Sequence, residues 1–145
     1  MVAGFIADPG SRERRQGWCG GSAEADLAQF AGKPVVVNVW GSWCAPCRVE
    51  LPIIQRASLD WGKRVAFLGV DTSDNRHDAG KLLDQIPVTY PSYEDPNGKI
   101  FTRYGLRGAP STIYYDAAGK QTYLHQGQYL DRAQLDADIK RYALS

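Results

Sequence analysis

The 145-residue chain has few of the residues that mark specialised classes of protein: three cysteines, two histidines and one methionine. Three cysteines are too few for a disulfide-rich scaffold. The 17 basic and 16 acidic residues leave a net charge of +1, so charge gives no reason to expect nucleic acid or an anionic membrane as a partner. No stretch reaches the roughly 20 apolar residues that a membrane-spanning helix needs.

The first residues of the chain differ from the rest in composition. The start, MVAGFIADPG, is too short and too soon interrupted to be a signal peptide, so we expect a cytosolic protein or a mature or trimmed domain. Residues 1–26 contain the charged run SRERRQG and the glycine-rich GWCGGS, which predict a loose N-terminal lead-in. Residues 27–145 are expected to form one domain, since 43% hydrophobic and 23% charged residues are ordinary for a globular chain.

Apolar periodicity beyond the lead-in predicts alternating strands and helices. The nearly continuous apolar run at 35–40 is typical of a strand buried on both faces. Strands that alternate with helices indicate a parallel part of the sheet, to which a β-hairpin adds an antiparallel pair. We therefore predict an α/β fold, a three-layer α/β/α sandwich with a mixed central sheet. The predicted elements are strands at 35–40, 64–71, 111–116 and 121–126, helices at 45–61, 76–86 and 131–144, a helical turn at 100–104 and an extended segment at 89–98.

The first predicted helix contains a proline, Pro52, which should kink it. Its apolar residues recur at helical spacing, which indicates one face turned toward the core. That face is expected to be formed by Val49, Ile53, Ile54 and Ala57.

Two of the cysteines, Cys44 and Cys47, lie where the first strand gives way to this helix, with only Ala45 and Pro46 between them. At a helix N-terminus, free backbone N–H groups and the positive end of the helix dipole favour a thiolate over a thiol. A thiolate is the nucleophile of disulfide exchange. We therefore expect Cys44 to attack a substrate and Cys47, about one turn further along, to resolve the mixed disulfide.

Two other uses of such a cysteine pair are weaker. A zinc site needs a second pair of ligands, but the only histidines, His77 and His125, are far apart and belong to no metal-binding motif. A purely structural disulfide across so short a loop would restrict little of the unfolded chain. We therefore expect redox chemistry at the pair, with no metal and no cofactor.

The sequence resembles the thioredoxin superfamily in two motifs, WCAPC at 43–47 and GAPST at 108–112. The resemblance implies a cis peptide bond before Pro110, beside the cysteines, although an ordinary trans proline at the start of a strand is the alternative. It also implies that the backbone of Ala109 pairs with an extended polypeptide substrate, and that Trp43 lies beside the disulfide. The candidate substrate-binding residues are accordingly Trp43, Ala45, Pro46 and Ala109.

Within that superfamily, the chain is most similar to the extracytoplasmic TlpA-like and ResA-like proteins, over roughly residues 27–145. CRVELP at 47–52 places a glutamate and a proline after the second cysteine, and the segment 72–105 matches an insert of this branch. Asn38 stands where thioredoxin has a buried acid. The branch includes membrane-anchored thiol–disulfide proteins of bacterial cytochrome c maturation.

The change from an acid to Asn38 has a chemical meaning. Resolution of a mixed disulfide needs a base that takes the proton of Cys47, and a buried carboxylate with a raised pKa can do this. Since Asn38 cannot titrate, the role would pass to Glu50, an i, i+3 neighbour of Cys47 on the helix. The alternative is that Glu50 is a solvated acid that merely interacts favourably with the helix dipole.

The leading hypothesis is a protein-disulfide oxidoreductase of the extracytoplasmic face, with Cys44, Cys47, Glu50 and Pro110 as its catalytic residues. The resemblance implies a membrane thiol electron donor and a disulfide-bearing protein substrate, with an apocytochrome c as one candidate. We expect a monomer that binds no nucleic acid. Two alternatives remain: an oxidase that forms disulfides in secreted proteins, and a non-catalytic binding module with the same fold.

The third cysteine, Cys19, lies in the glycine-rich part of the lead-in. Lipidation is disfavoured because no apolar segment or lipobox precedes it. Two interpretations stay open: an incidental free thiol, and a redox or intermolecular role.

Overall fold

The computed structural model describes residue 30 and residues 32–145. The predicted lead-in at 1–26, with Cys19, lies outside these described residues. The elements in chain order are β1 (Val35–Trp40), α1 (Ala45–Trp61), β2 (Ala66–Thr72), α2 (Arg76–Gln85), β3 (Ser92–Asp95), α3 (Lys99–Tyr104), β4 (Ser111–Tyr115), β5 (Gln121–Gln126) and α4 (Arg132–Asp138), which a π-helical turn (Ile139–Ala143) continues.

Among the described residues, five strands form a mixed sheet in the order β3-β2-β1-β4-β5. β1 is parallel to β2, and β2 to β3, whereas β4 is antiparallel to both β1 and β5. All residues of β1 are buried, as expected for a central strand that is covered on both faces. The predicted combination of a parallel part with an antiparallel hairpin is confirmed.

Helices cover both faces of the sheet, which confirms the predicted three-layer arrangement. On one face, α1, α2 and α4 enclose a core cluster that includes Trp40 and the cysteines of the pair. On the other face, α3 packs over a smaller cluster around Leu68 and Ile113. β1 supplies both clusters, because successive side chains of a strand point to opposite faces. Val36 and Trp40 belong to the first cluster, and Val35, Val37 and Val39 to the second.

The inward face of α1 differs from the prediction. Val49, expected in the core, is 61% exposed, whereas Glu50 is only 1% exposed. Because residues three and four apart share a helix face, the orientation that buries Cys47 also buries Glu50. The helix continues as one element through Pro52, whose side chain is exposed. The buried residues of α1 are Cys47, Glu50, Leu51, Ile54 and Ala57.

The C-terminal helix is divided into two geometries. α4 ends at Asp138, and the predicted helix continues as the π-helical turn. Leu135, Ile139 and Ala143 are buried, and Tyr142 packs against the same core cluster from a partly buried position. Within the described part of the chain, no helix is both long enough and apolar enough to cross a membrane.

Candidate active site

The cysteine pair lies at the start of α1, as the sequence predicts. Cys44 is the N-cap residue, with an extended backbone, and its Sγ accepts a hydrogen bond from the backbone N–H of Cys47 at 3.2 Å. The two sulfurs are joined in a disulfide, with the Cα atoms 5.3 Å apart. Once reduced, Cys44 would have its sulfur next to the free N–H groups and positive dipole of the helix end, which stabilise a thiolate.

The residues around the disulfide differ in exposure. Cys44 and Cys47 are buried, at 3% and 1% exposure. Trp43, Ala45 and Pro46 are exposed, so the residues next to the disulfide in sequence form the outer surface at this point. These three belong to the four residues predicted to meet a substrate, the fourth being Ala109, and their exposure leaves them available for contact.

The segment before Cys44 is held from the side by the loop that follows β2. The carboxylate of Asp74 accepts hydrogen bonds from the backbone N–H and the hydroxyl of Ser42, at 2.6 and 2.7 Å. The indole N–H of Trp43 donates to the carbonyl of Thr72 at 2.9 Å, and its ring lies where a Cβ atom on Gly41 would collide with it. Nothing in the sequence indicated these contacts, so this support for the segment before Cys44 was not predicted.

The peptide bond between Ala109 and Pro110 is cis. Pro110 directly precedes β4, where Ser111 pairs with Val39 near the end of β1. This register brings Pro110 to the same edge of the sheet as the segment that leads to Cys44. Ala109 is partly buried and packs against the core cluster that contains both cysteines.

Glu50 is a buried carboxyl group with two hydrogen-bond donors. Asn38 Nδ2 donates to Oε1 at 2.7 Å, and the backbone N–H of Tyr129 donates to Oε2 at 2.7 Å. Burial raises the pKa of Glu50 to about 7, although both hydrogen bonds favour the ionised form and oppose the rise. The alternative of a solvated first-turn acid is therefore wrong for Glu50.

The donor Tyr129 belongs to a network that the sequence did not reveal. Its hydroxyl lies 2.6 Å from that of Tyr114 and donates to Asp138 of α4 at 2.6 Å. The ring of His125 stacks on Tyr129, with the centroids 4.0 Å apart. Burial raises the pKa of the Tyr129 phenol far above its usual range, so the phenol stays protonated. The loop that supplies the donor to Glu50 is thus fixed to β4, β5 and α4.

A second buried acid, Asp71, lies at the end of β2 and pairs in register with Trp40. Burial, a hydrogen bond with Asp74 and nearby carboxylates raise its pKa to about 10, so the carboxyl is protonated at neutral pH. The same hydrogen bond helps to lower the pKa of Asp74, which keeps Asp74 ionised as the acceptor for Ser42. In sequence, Asp71 looks like the polar end of an apolar strand, so its burial could not be recognised.

Residues 30 and 32–145 contain no candidate metal site. No group of three or more His, Cys, Asp or Glu side chains in this part of the chain is arranged to hold a metal ion.

Comparisons with known proteins agree with this geometry. A family model described as Redoxin matches residues 12–139. The thiol:disulfide interchange protein DsbE of Xylella fastidiosa (strain Temecula1) is 36% identical over 107 residues, 73% of this chain and 53% of the relative. The thiol-disulfide oxidoreductase ResA of Geobacillus thermodenitrificans is 30% identical over 98 residues, 67% of this chain and 56% of the relative. The chain spans about half the length of these curated relatives.

Solved structures show the same likeness. A Chlorobium tepidum protein assigned as the thiol:disulfide interchange protein DsbE has a TM-score of 0.73 and 29% sequence identity, over 79% of this chain and 83% of that one. The exposed lipoprotein thioredoxin Etrx1 of Streptococcus pneumoniae has a TM-score of 0.70 and 25% identity, over 79% of this chain and 89% of that one. The predicted resemblance to thioredoxin-like disulfide oxidoreductases is confirmed, and the chain belongs to the Redoxin family.

Proposed function

We propose that this chain is a thiol–disulfide oxidoreductase that reduces or exchanges disulfides in protein substrates. The observation that carries the proposal is the Cys44–Cys47 disulfide at the N-terminus of α1, with the buried acid Glu50 on the same face of that helix. The names of the relatives, thiol:disulfide interchange protein and thiol-disulfide oxidoreductase, support it.

The reaction starts from the reduced pair. The Cys44 thiolate attacks one sulfur of a substrate disulfide, a mixed disulfide forms, and the other substrate sulfur leaves as a thiolate. Cys47 then gives its proton to Glu50, and its thiolate attacks Cys44 Sγ. The Cys44–Cys47 disulfide closes and the second substrate sulfur leaves, so two electrons have passed from the pair to the substrate.

The substrate contact is proposed to lie around the exposed side chains of Trp43, Ala45 and Pro46 and the backbone at Ala109. In this arrangement Ala109 offers an extended segment for strand addition by a polypeptide, and Pro110 shapes the adjoining groove. The position of Ala109 against the cluster that contains both cysteines supports this role.

The direction and place of the reaction follow from the resemblance to the TlpA-like and ResA-like branch. We propose that the protein acts outside the cytoplasm, receives electrons from a membrane thiol donor and reduces a disulfide-bearing protein, with an apocytochrome c as the candidate. Equilibration in glutathione buffers tests the direction. A potential near that of thioredoxin, about −270 mV, supports a reductant, whereas one near that of DsbA, about −120 mV, would contradict it.

Trapping the mixed disulfide tests the assignment of the two cysteines. In a Cys19→Ser background, which removes the third thiol, Cys47→Ser is expected to hold a disulfide-bonded peptide on Cys44. Cys44→Ser is the matched variant and is expected to form no adduct and to lose turnover, since the nucleophile is gone. Mass spectrometry of each variant after mixing with an oxidised peptide shows whether an adduct forms. Sustained reductase turnover by Cys44→Ser would overturn the proposal.

A further inference from the structure

Glu50 is the acceptor in both of its hydrogen bonds. Asn38 Nδ2 and the backbone N–H of Tyr129 each lie 2.7 Å from a separate carboxylate oxygen. This arrangement suits the ionised carboxylate, which only accepts hydrogen bonds. Once protonated, Glu50 has an O–H group that needs an acceptor in a site where Glu50 is 1% exposed.

The two partners differ in their ability to supply that acceptor. The Tyr129 partner is a backbone N–H, which is a donor in every protonation state. Asn38 is a carboxamide, and its second polar atom, Oδ1, is buried without a hydrogen-bond partner among the described residues. A carboxamide that turns over exchanges a donor for an acceptor at almost the same position.

We propose that Asn38 reverses its carboxamide as Glu50 gains or loses a proton, donating to the carboxylate and accepting from the carboxylic acid. Asn38 is then a positioning residue of the proton-transfer step, and Glu50 Oε1 is the atom that carries the proton. This inference rests on the proposed function of Glu50 as the base for Cys47.

The proton balance of the resolving step follows from this assignment. The proton leaves Cys47 Sγ and binds Glu50 Oε1, where Asn38 Oδ1 accepts its hydrogen bond. The Cys47 thiolate closes the disulfide with Cys44, and the substrate sulfur leaves as a thiolate. Glu50 then releases the proton to the departing thiolate or to solvent, and Asn38 turns back to donate to the carboxylate.

The other titratable groups around Glu50 do not take over the exchange of donor for acceptor that we assign to Asn38. Tyr90, from the chain before β3, and Tyr114, from β4, interact electrostatically with Glu50, and burial raises the pKa of each so that both stay neutral. Asp138 of α4 accepts from the Tyr129 hydroxyl and so acts on the network behind the backbone donor. On α1 itself, Cys44 and Cys47 are joined in the disulfide and do not titrate in the oxidised protein.

NMR of the labelled, oxidised full chain tests the reversal without any substitution. The Glu50 carboxyl carbon reports its own titration, and the Asn38 side-chain N–H₂ resonances report the orientation of the amide. We expect the Asn38 protons to move upfield on acidification with the same midpoint as Glu50, since they leave the carboxylate. Asn75, whose carboxamide donates to the exposed Asp78, is the internal control and should not follow this midpoint. Asn38 resonances that do not shift with the Glu50 titration would overturn the proposal.

Glu50→Gln provides a second test, because a glutamine carboxamide is neutral and offers one donor and one acceptor. With its carbonyl on Tyr129, its N–H₂ must face Asn38. We expect the Asn38 resonances of this variant to match the acidic limit of the native protein and to show no titration near pH 7. Asn38 resonances that keep the alkaline position would contradict the reversal.

The kinetic test separates this inference from the proposed function. Asn38→Leu neither donates nor accepts, so we expect the pH midpoint of the resolving step to rise by about one unit, while Asn38→Ser, whose hydroxyl does both, recovers most of the native profile. An unchanged midpoint in Asn38→Leu would overturn the positioning role. If instead Asn38 follows Glu50 by NMR but Glu50→Gln resolves at the native rate, the reversal stands and the base role of Glu50 fails.

Discussion

Glu50 occupies an inward position of α1 between residues that are otherwise apolar. Leu51 and Ile54 beside it are buried in the same core cluster. An ionised carboxylate without partners would be very unfavourable there, and the two donors from Asn38 and Tyr129 offset part of the desolvation cost. The result is a pKa of about 7, at which the group takes up and releases a proton with equal ease near neutral pH.

Glu50→Gln keeps the size of the side chain and removes the carboxylate that we propose as the base. We expect the resolving step to slow by roughly 100-fold, at the low end of the range for general base catalysis. The native rate should rise with pH through about 7, since the base must be ionised, and the variant should lack that rise. Release of a chromogenic thiolate from a Cys44 adduct measures this in a single turnover.

A control variant and a second rate measurement accompany that experiment. Asp84→Asn, on the exposed side of α2, is the matched control and should resolve its adduct at the native rate. The first attack by Cys44 should also continue in Glu50→Gln, because the helix N-terminus that favours its thiolate is unchanged. Equal resolving rates and equal pH profiles in the native protein and Glu50→Gln would exclude Glu50 as the base.

At the scale of elements, Asp95 joins three parts of the fold. The N-cap position of α3 is Gly98, which has no side chain, and Asp95 caps the helix instead by accepting from the backbone N–H groups of Lys99 and Ile100. Its Oδ2 also accepts from the Thr72 hydroxyl at 2.8 Å, at the end of β2. Thr72 in turn holds the indole of Trp43, so the cap of α3 supports the segment before the disulfide.

Asp95→Ala is therefore expected to lower the free energy of unfolding by about 2 to 3 kcal/mol, because it leaves three buried or partly buried donors without their acceptor. Asp84→Ala removes an exposed aspartate from α2 and should change stability by less than about 0.5 kcal/mol. Urea unfolding of both variants measures the difference. A loss in Asp95→Ala no larger than in Asp84→Ala would show that the cap adds no stability.

Local signals were sufficient to predict most elements and the cysteine pair. The apolar run at 35–40, the thiol at a helix start and the hairpin each depend on neighbours in sequence. The support for the site does not: Ser42 meets Asp74 across 32 positions, and Glu50 meets Tyr129 across 79. Such partners depend on the order of the strands in the sheet, and hydrophobic periodicity does not reveal that order.

The error at Val49 has the same origin. Periodicity assigned Val49 to the core, as transfer free energies favour, while only the expected base role, not the periodicity, required a buried Glu50. The fold exposes Val49 and buries Glu50, because Asn38 on β1 and the loop after β5 present two donors to the acid, and neither donor was visible from the helix sequence.

For the whole molecule, two buried acids make folding depend on pH. The pKa of Glu50 is raised from an ordinary 4.5 to about 7, and that of Asp71 from 3.8 to about 10. Between each pair of values the unfolded chain has released a proton that the folded chain retains. The unfolded state then binds fewer protons, so the free energy of unfolding falls as the pH rises.

We expect the oxidised protein to be more stable at about pH 5 than at about pH 8, with Glu50 alone contributing a fall of roughly 3 kcal/mol. Above about pH 7 the Glu50 contribution levels off, whereas that of Asp71 continues toward about pH 10. Urea unfolding followed by tryptophan fluorescence at a series of pH values measures the slope.

Variants of the two acids show how much each contributes to the slope of unfolding free energy against pH. Glu50→Gln should remove about half of the fall below about pH 7, and Asp71→Asn the other half together with the part that continues above about pH 7, since each replaces a titrating carboxyl with a neutral amide of similar size. The double variant should be nearly independent of pH across this range, while Asp84→Asn keeps the native slope. Because Glu50 lies on α1 and Asp71 at the end of β2, their effects should add. A double variant with the native slope would mean that neither acid carries the pH dependence.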